Sequence, residues 1–452
     1  YLLHIILSRL RVQPKYVPVG VGFILLFVYW FLARPVAMQV VFPLFLLWLV
    51  SLFYFICYPL EKRAQVGLAL VSALSLYVYT YLTQIIVVSS GIGLCCVLLK
   101  DFRIYKTAVY SAVGASVLSI PFLIYTWKQI HHPFYFETLA RIGLVETHTI
   151  GSAAMFYMLM IGLISAIIWF QRNFYTKQEL SVFVLVSAGL FITTVSNVIS
   201  GKDLEVAVHI GRFVELWAGI VFVVIVSRMM VFDQKKVVYM YIGLLCVCLM
   251  YVGLVQVRVW KSINKDILVD QRYKTVLQWL RENTPTDSVV FTDDRLASYI
   301  PIETSNYVLF SPNSLLYLAS DKEVEDRYLL SRVFMDASID DIKKDMRKYA
   351  GAGYTAHRHM IHNRNVRLCK FIVVDLWKGR CGEYTDQYVL KGESYFGSLE
   401  VRHLYMQEHA IDELKKFNVS YIIVDKNYDS WNVLNTLQRI WSDNYFDIYK
   451  MN

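Results

Sequence analysis

Tyr251-Val-Gly-Leu-Val-Gln-Val-Arg-Val-Trp260-Lys-Ser-Ile-Asn-Lys-Asp266 decides the fold, because the chain changes character inside it. Up to Trp260, apolar spans follow one another almost without pause; beyond it the composition is that of a soluble α/β domain running to Asn452. Of the 452 residues 56% are hydrophobic and only 18% charged, which excludes an average soluble fold for the whole. A bilayer is crossed by roughly 20 apolar residues, folded as a helix so that the backbone satisfies its own hydrogen bonds. The sequence therefore predicts a polytopic α-helical membrane domain over residues 1–259 and an extracytoplasmic α/β domain over 260–452.

About nine spans are predicted: Val17–Ala33, Val36–Leu60, Val66–Leu82, Gln84–Leu99, Ala108–Trp127, Thr149–Phe170, Leu180–Ser200, Ile210–Val231 and Val237–Val257. Tyr1–Ser8 reads as the tail of an earlier membrane helix, so further sequence is expected upstream. Alternate connections carry the basic residues: Arg9, Arg11 and Lys15; Lys62 and Arg63; Lys100, Arg103 and Lys106; Arg172 and Lys177; Lys235 and Lys236. That bias places these connections in the cytoplasm and, with an odd number of spans, the terminal domain outside. Counting Val66–Leu99 as two helices keeps Lys62 and Lys100 on one side. The chain thus reads as a multi-pass protein of the plasma membrane.

The net charge of +9 is dispersed and concentrated at helix ends, which argues against nucleic acid and for anionic lipid headgroups. Cys57, Cys95, Cys96, Cys246 and Cys248 fall inside spans as small apolar groups. Cys369 and Cys381 flank a strand-like run in the polar domain, where either a disulfide or two free thiols fits the sequence.

In that domain helices are predicted at Asp266–Glu282, Lys322–Phe334, Glu408–Phe417 and Trp431–Trp441. Strands are predicted at Ser288–Thr292, Tyr307–Phe310, Lys370–Asp375 and Ser420–Asp425. The alternation argues for a mainly parallel sheet covered by helices. No Gly-rich phosphate loop follows either of the two longest strands, so a nucleotide site lacks its main signal.

Four constellations carry chemistry. The connection Lys128–His148 holds His131, His132, Glu137, Arg141, Glu146 and His148, suited to acid–base work or a metal. Phe134–Val145 within it also has the pattern of an amphipathic helix lying in the membrane interface. Near the outer ends of two spans stand Thr193, Thr194, Ser196, Asn197, Lys202, His209, Arg212 and Glu215. Arg212 with Lys202 and His209 forms a set able to hold a phosphate, for which a guanidinium fork is well shaped. The alternative is a structural Arg212–Glu215 pair, three residues apart on one helix face, with Arg212 reaching for headgroups. His357, His359 and His362 lack an evident fourth zinc ligand and sit beside Arg358 and Arg364, so a polar loop is the better reading. Asp293-Asp294 after a strand either binds a metal or caps the next turn.

Leu280-Arg-Glu-Asn-Thr-Pro-Thr-Asp-Ser-Val-Val290 and Leu414-Lys-Lys-Phe-Asn-Val-Ser-Tyr-Ile-Ile-Val-Asp425, set behind many membrane helices, resemble the external domains of GT-C superfamily polyprenol-dependent glycosyltransferases. The resemblance covers most of the chain in layout and these two stretches in wording, neither of them a catalytic motif. It implies sugar transfer from a polyprenyl-phosphate donor to an acceptor on the outer face, with Arg212, Lys202 and His209 on the lipid phosphate. It also implies an acidic base in the first outer loop, but the first outer connection, Arg34-Pro35, has none. Glu137 and Glu146 are the remaining candidates. No motif specifies a cofactor, and a divalent metal is the one group left open. The competing classes are a non-catalytic transport, flippase-like or envelope-assembly protein, and a lipid-diphosphate-dependent polymerase or ligase. The sequence does not specify an oligomeric state.

Overall fold

The computed structural model describes residues 1–28, 38–98, 102–142, 152–200, 206–229, 249–258, 260–261, 271–335, 337–351, 393–426 and 437–451, with positions 239, 243, 246 and 247. The chain forms two compact units: Tyr1–Lys128 with His148–Val259, and Gln129–Thr147 with Trp260–Asn452. The change at Trp260 is therefore also a boundary between units, and the short segment 129–147 is grouped with the polar residues that follow it.

The first unit is helical: α1 (Leu2–Arg9), α2 (Val17–Phe27), α3 (Met38–Cys57), α4 (Lys62–Val78), α5 (Thr80–Leu98) and α6 (Phe102–Ile130). Past α7 (Tyr135–Ile142), which belongs to the second unit, come α8 (Ser152–Phe170), α9 (Lys177–Thr194), α10 (Ser196–Ser200) and α11 (Val206–Met229). Five helices are long and apolar enough to cross a membrane: Met38–Cys57, Phe102–Ile130, Ala153–Phe170, Lys177–Thr194 and His209–Arg228. Each overlaps one of the nine expected spans, and Phe102–Ile130 runs beyond its expected Ala108–Trp127 at both ends. Shorter apolar helices occupy Pro14–Phe27, Thr80–Cys96 and Leu249–Arg258.

The core of this unit is built around α11, the most enclosed of the five. Phe42 and Phe45 of α3 pack on Phe213 at 6.1 and 5.2 Å, and the Trp217 indole donates to Ser187 of α9 at 3.0 Å. Helix α9 starts with a reciprocal capping box between Thr176 and Glu179, which satisfies two otherwise orphaned donors. It ends where Thr193 and Thr194 turn their hydroxyls onto the carbonyls of Gly189 and Leu190, both at 2.7 Å. Such back-bonding disturbs the regular ladder, and here the expected span Leu180–Ser200 divides into α9 and α10.

The second unit contains α12 (Tyr273–Asn283), β1 (Val289–Phe291), α13 (Asp294–Glu303), β2 (Tyr307–Val308) and α14 (Asp321–Leu330). Then follow α15 (Ile339–Lys344), α16 (Met346–Tyr349), α17 (Glu393–Glu408), α18 (Ala410–Lys416), β3 (Val419–Asp425), β4 (Gln438–Ser442) and β5 (Phe446–Lys450). The strand order is β2-β1-β3-β5-β4. Side chains alternate across the sheet. Val290, Tyr421 and Ile423 pack against α12 and α13 on one face; Phe291, Ile422 and Val424 pack against α14, α17 and α18 on the other. Burial on both faces explains why β3 reads as an almost unbroken apolar run.

Two sequence expectations are corrected. The sheet is mixed: β1 pairs parallel with β2 and β3, while β3–β5 and β4–β5 are antiparallel. The expected helix Trp431–Trp441 is a strand from Gln438, its residues 431–436 lying outside the described residues. The cause is Asp443, whose carboxylate accepts from the amides of Tyr445 and Phe446, both at 2.7 Å. That Asx turn sends the chain back as a β4–β5 hairpin. The expected strand Lys370–Asp375 also lies outside the described residues.

Candidate functional site

The site in the first unit starts from a one-residue elbow. Tyr79 separates α4 from α5 in an extended conformation (φ −161°, ψ 103°), and the bend brings the hydroxyls of Ser75 and Thr83 to 3.0 Å. The elbow aims the Tyr79 hydroxyl at His209 near the start of α11, where it shares a 2.6 Å hydrogen bond with Nδ1. Tyr81, two residues on, stacks on the imidazole at 4.2 Å with the rings 8° apart. The histidine is thus held edge-on by one tyrosine and flat by another.

Arg212 and Glu215 follow at three-residue intervals and share the His209 face of α11. Arg212 is half-buried and within electrostatic reach of the hydroxyls of Tyr79 and Tyr157. The Tyr157 hydroxyl donates to Glu215 at 3.2 Å. Two of the residues expected to bind phosphate, Arg212 and His209, are therefore brought to one face; Lys202 lies outside the described residues. Tyr79, Tyr81 and Tyr157 were not singled out in the sequence. For Tyr79 and Tyr81 the signal was present in Tyr77-Val-Tyr79-Thr-Tyr81, a tyrosine alternation in a mainly apolar segment; Tyr157 carries no comparable signal.

A guanidinium, an imidazole and phenolic hydroxyls supply donors suited to an anion, and one carboxylate faces them. Within an apolar bundle such charges act at lower dielectric than at a surface. Ionisable groups there face the interior or an aqueous cavity. The structural alternative has the same residues: Glu215 with Tyr157 and His209 with Tyr79 already form two polar pairs, with Arg212 in electrostatic reach of both tyrosines.

In the second unit Glu137 and Arg141 have structural duties. Asp321, the first residue of α14, donates its amide to the Glu137 carboxylate at 2.6 Å. Arg141 is fully buried and donates to the carbonyls of Tyr317 and Ala319 (2.8 Å each), to Thr138 Oγ1 (3.0 Å) and to Asp321 Oδ1 (2.7 Å). The helix expected over Phe134–Val145 is present as α7, but this face is turned into the polar unit while Phe136 stays exposed. Glu146 lies outside the described residues, as do Cys369 and Cys381 and the three histidines His357, His359 and His362.

Asp293 is the N-cap of α13, accepting from the amides of Arg295 at 2.7 Å and Leu296 at 3.1 Å. Burial raises its pKa above the usual carboxylate range, opposed by those two amides and reinforced by the charges of Asp425 and Asp294. Asp425 ends β3 and pairs with Arg272 at 2.8 Å. Asp294 pairs with Arg332 at 2.7 Å and Lys348 at 3.0 Å. β1 and β3 are adjacent and parallel, so Asp293 and Asp425 stand at the carboxyl ends of neighbouring strands, the edge at which α/β sheets commonly bind ligands. Among the described residues no three His, Cys, Asp or Glu side chains come together as a metal site.

Neither protein-family models nor characterised proteins give a match to this chain.

Proposed function

We propose that the chain is a membrane glycosyltransferase-like protein whose α11 face binds the phosphate of a polyprenyl-phosphate-linked sugar, with the polar unit on the outer side of the plasma membrane. The observation that carries the reading is the convergence of His209, Arg212 and the Tyr79 hydroxyl on one face of an enclosed helix. A guanidinium in a water-poor site makes strong charge-assisted hydrogen bonds to phosphate oxygens, and Lys202 is proposed to add a second cation. In sugar transfer these donors stabilise the departing phosphate. A carboxylate must still take the acceptor's proton. Glu137, one of the two carboxylates expected for that role, is engaged at the α14 amide.

One observation favours a second reading, in which lipid phosphate is bound or moved without sugar transfer. The carboxylate nearest Arg212 along α11 is Glu215, and it accepts from Tyr157. A polyprenyl-phosphate binding assay on protein in nanodiscs tests the part common to both. Arg212→Ala is expected to weaken binding by about 10- to 100-fold, the worth of one or two charge-assisted hydrogen bonds, with Arg212→Lys retaining part. Undiminished binding by well-folded Arg212→Ala protein removes the proposal. Release of free sugar or glycosylated acceptor then separates transfer from simple binding.

A further inference from the structure

The middle of α11, at Trp217, adjoins a second feature that is independent of the phosphate site. A cavity of about 250 Å³ lies among α1, α3, α9 and α11, with Ile5, Phe53 and Trp217 among its mostly apolar walls. Trp217 follows His209 by eight residues, about 12 Å along a helix. Arg9, the last residue of α1, also lines the cavity together with Tyr54 and Cys57. Its guanidinium is exposed, has no carboxylate partner among the described residues, and acts electrostatically on the Cys57 thiol. Arg63 acts likewise on Tyr54. The nearby acid, Glu61, accepts from the Tyr54 hydroxyl.

An apolar chamber inside a membrane bundle with a cation at one side has the chemistry of an amphiphile site. Apart from Arg9, Tyr54, Cys57 and Tyr58 its walls are apolar and suit a hydrocarbon chain, and a guanidinium without a carboxylate partner favours a phosphate over a zwitterionic headgroup's balanced charge. Basic residues at one membrane face are attracted to anionic lipid. We propose that this cavity takes an acyl chain of an anionic phospholipid whose phosphate rests on Arg9.

Cys57 provides a local reporter. The full chain is placed in nanodiscs of phosphatidylcholine, of phosphatidylcholine with phosphatidylglycerol, or of phosphatidylcholine with palmitate. N-ethylmaleimide labelling of Cys57 is followed by peptide mass spectrometry, with exposed Cys96 of α5 as the internal reference. Comparing lipid compositions within each variant cancels the direct effect of the Arg9 charge on the thiol. Phosphatidylglycerol is expected to slow Cys57 labelling several-fold, Arg9→Gln to weaken that protection about tenfold in lipid concentration, and Arg9→Lys to keep part of it. Equal Cys57 rates with and without phosphatidylglycerol overturn the proposal. So does protection that survives Arg9→Gln unchanged. Protection by palmitate equal to that by phosphatidylglycerol overturns the phospholipid assignment in favour of a free fatty acid.

Discussion

The ring of Tyr157 lies against the backbone of Gly211, so closely that a Cβ at Gly211 would stand 2.1 Å from two ring carbons. This contact between α8 and α11 fixes the tyrosine whose hydroxyl reaches Glu215 one turn further on. Alanine at 211 would gain about 1 kcal/mol of helix propensity over glycine. Overpacking costs about 1–3 kcal/mol, and a contact this short with a ring places the cost at the upper end. Gly211→Ala is expected to lower the thermal midpoint in detergent, and Tyr157→Ser in the same chain to restore most of it. A midpoint raised by Gly211→Ala alone would contradict the close approach.

Tyr79→Phe removes only the oxygen that meets His209 and leaves the ring against His209 and Phe213, at 6.0 Å from each. The loss of one such hydrogen bond is worth about 1 kcal/mol. Polyprenyl-phosphate affinity should fall several-fold, less than for Arg212→Ala, if the tyrosine orients His209 toward the ligand. Unchanged affinity with a lowered midpoint would assign the pair to structure alone.

Much of this arrangement was legible in the residues. Apolar length marked the five long helices, and the i, i+3 spacing of Arg212 and Glu215 put them on one face. The division of Val66–Leu99 into two helices was expected from the charges at its ends, but the place of the elbow at Tyr79 was not legible, because the segment is apolar on both sides of it and an extended conformation leaves no trace in a tyrosine. The grouping of 129–147 with the polar unit was hidden for another reason. Phe136, Leu139 and Ile142 give α7 an amphipathic pattern that a membrane interface or a folded domain can use equally. What discriminates is Arg141, whose burial depends on carbonyls about 180 positions away in sequence. The β4–β5 hairpin was missed because Asp443 acts through its side chain on backbone amides.

Arg141 is accordingly the residue whose removal should loosen the polar unit most selectively. Arg141→Met keeps much of the stem but strands the carbonyls of Tyr317 and Ala319 and the Asp321 carboxylate. Breaking a buried charge pair costs about 3–5 kcal/mol. Amide hydrogen exchange should accelerate across 135–142 and 315–330, with the α8, α9 and α11 amides little changed. Arg141→Lys should rescue poorly, because one ammonium cannot reproduce the spread of the guanidinium donors. Gly351, at φ +86°, lies where a Cβ would come within 2.0 Å of the Arg141 carbonyl oxygen, so Gly351→Ala should loosen the same region.

His403 in α17 supplies the pH dependence. It is 3% exposed, and neither ring nitrogen has a well-formed hydrogen bond among the described residues. Burial lowers its pKa below the usual histidine value, and the Leu329 backbone beside the ring only partly offsets this. The folded state therefore resists a proton that the unfolded chain accepts near pH 6.5. Above that pH both states hold a neutral ring and His403 adds no pH dependence. As pH falls through the unfolded value, stability declines, by at most about 1.4 kcal/mol per pH unit for one proton, until the folded pKa is passed. Unfolding midpoints of the polar unit taken between pH 7.5 and 5 should fall more steeply for the natural chain than for His403→Leu. Leucine has similar apolar bulk among Leu329, Leu399 and Met406 and cannot protonate. Parallel profiles for the two proteins would show that the imidazole carries its proton in the folded state and that the apparent burial does not exclude it.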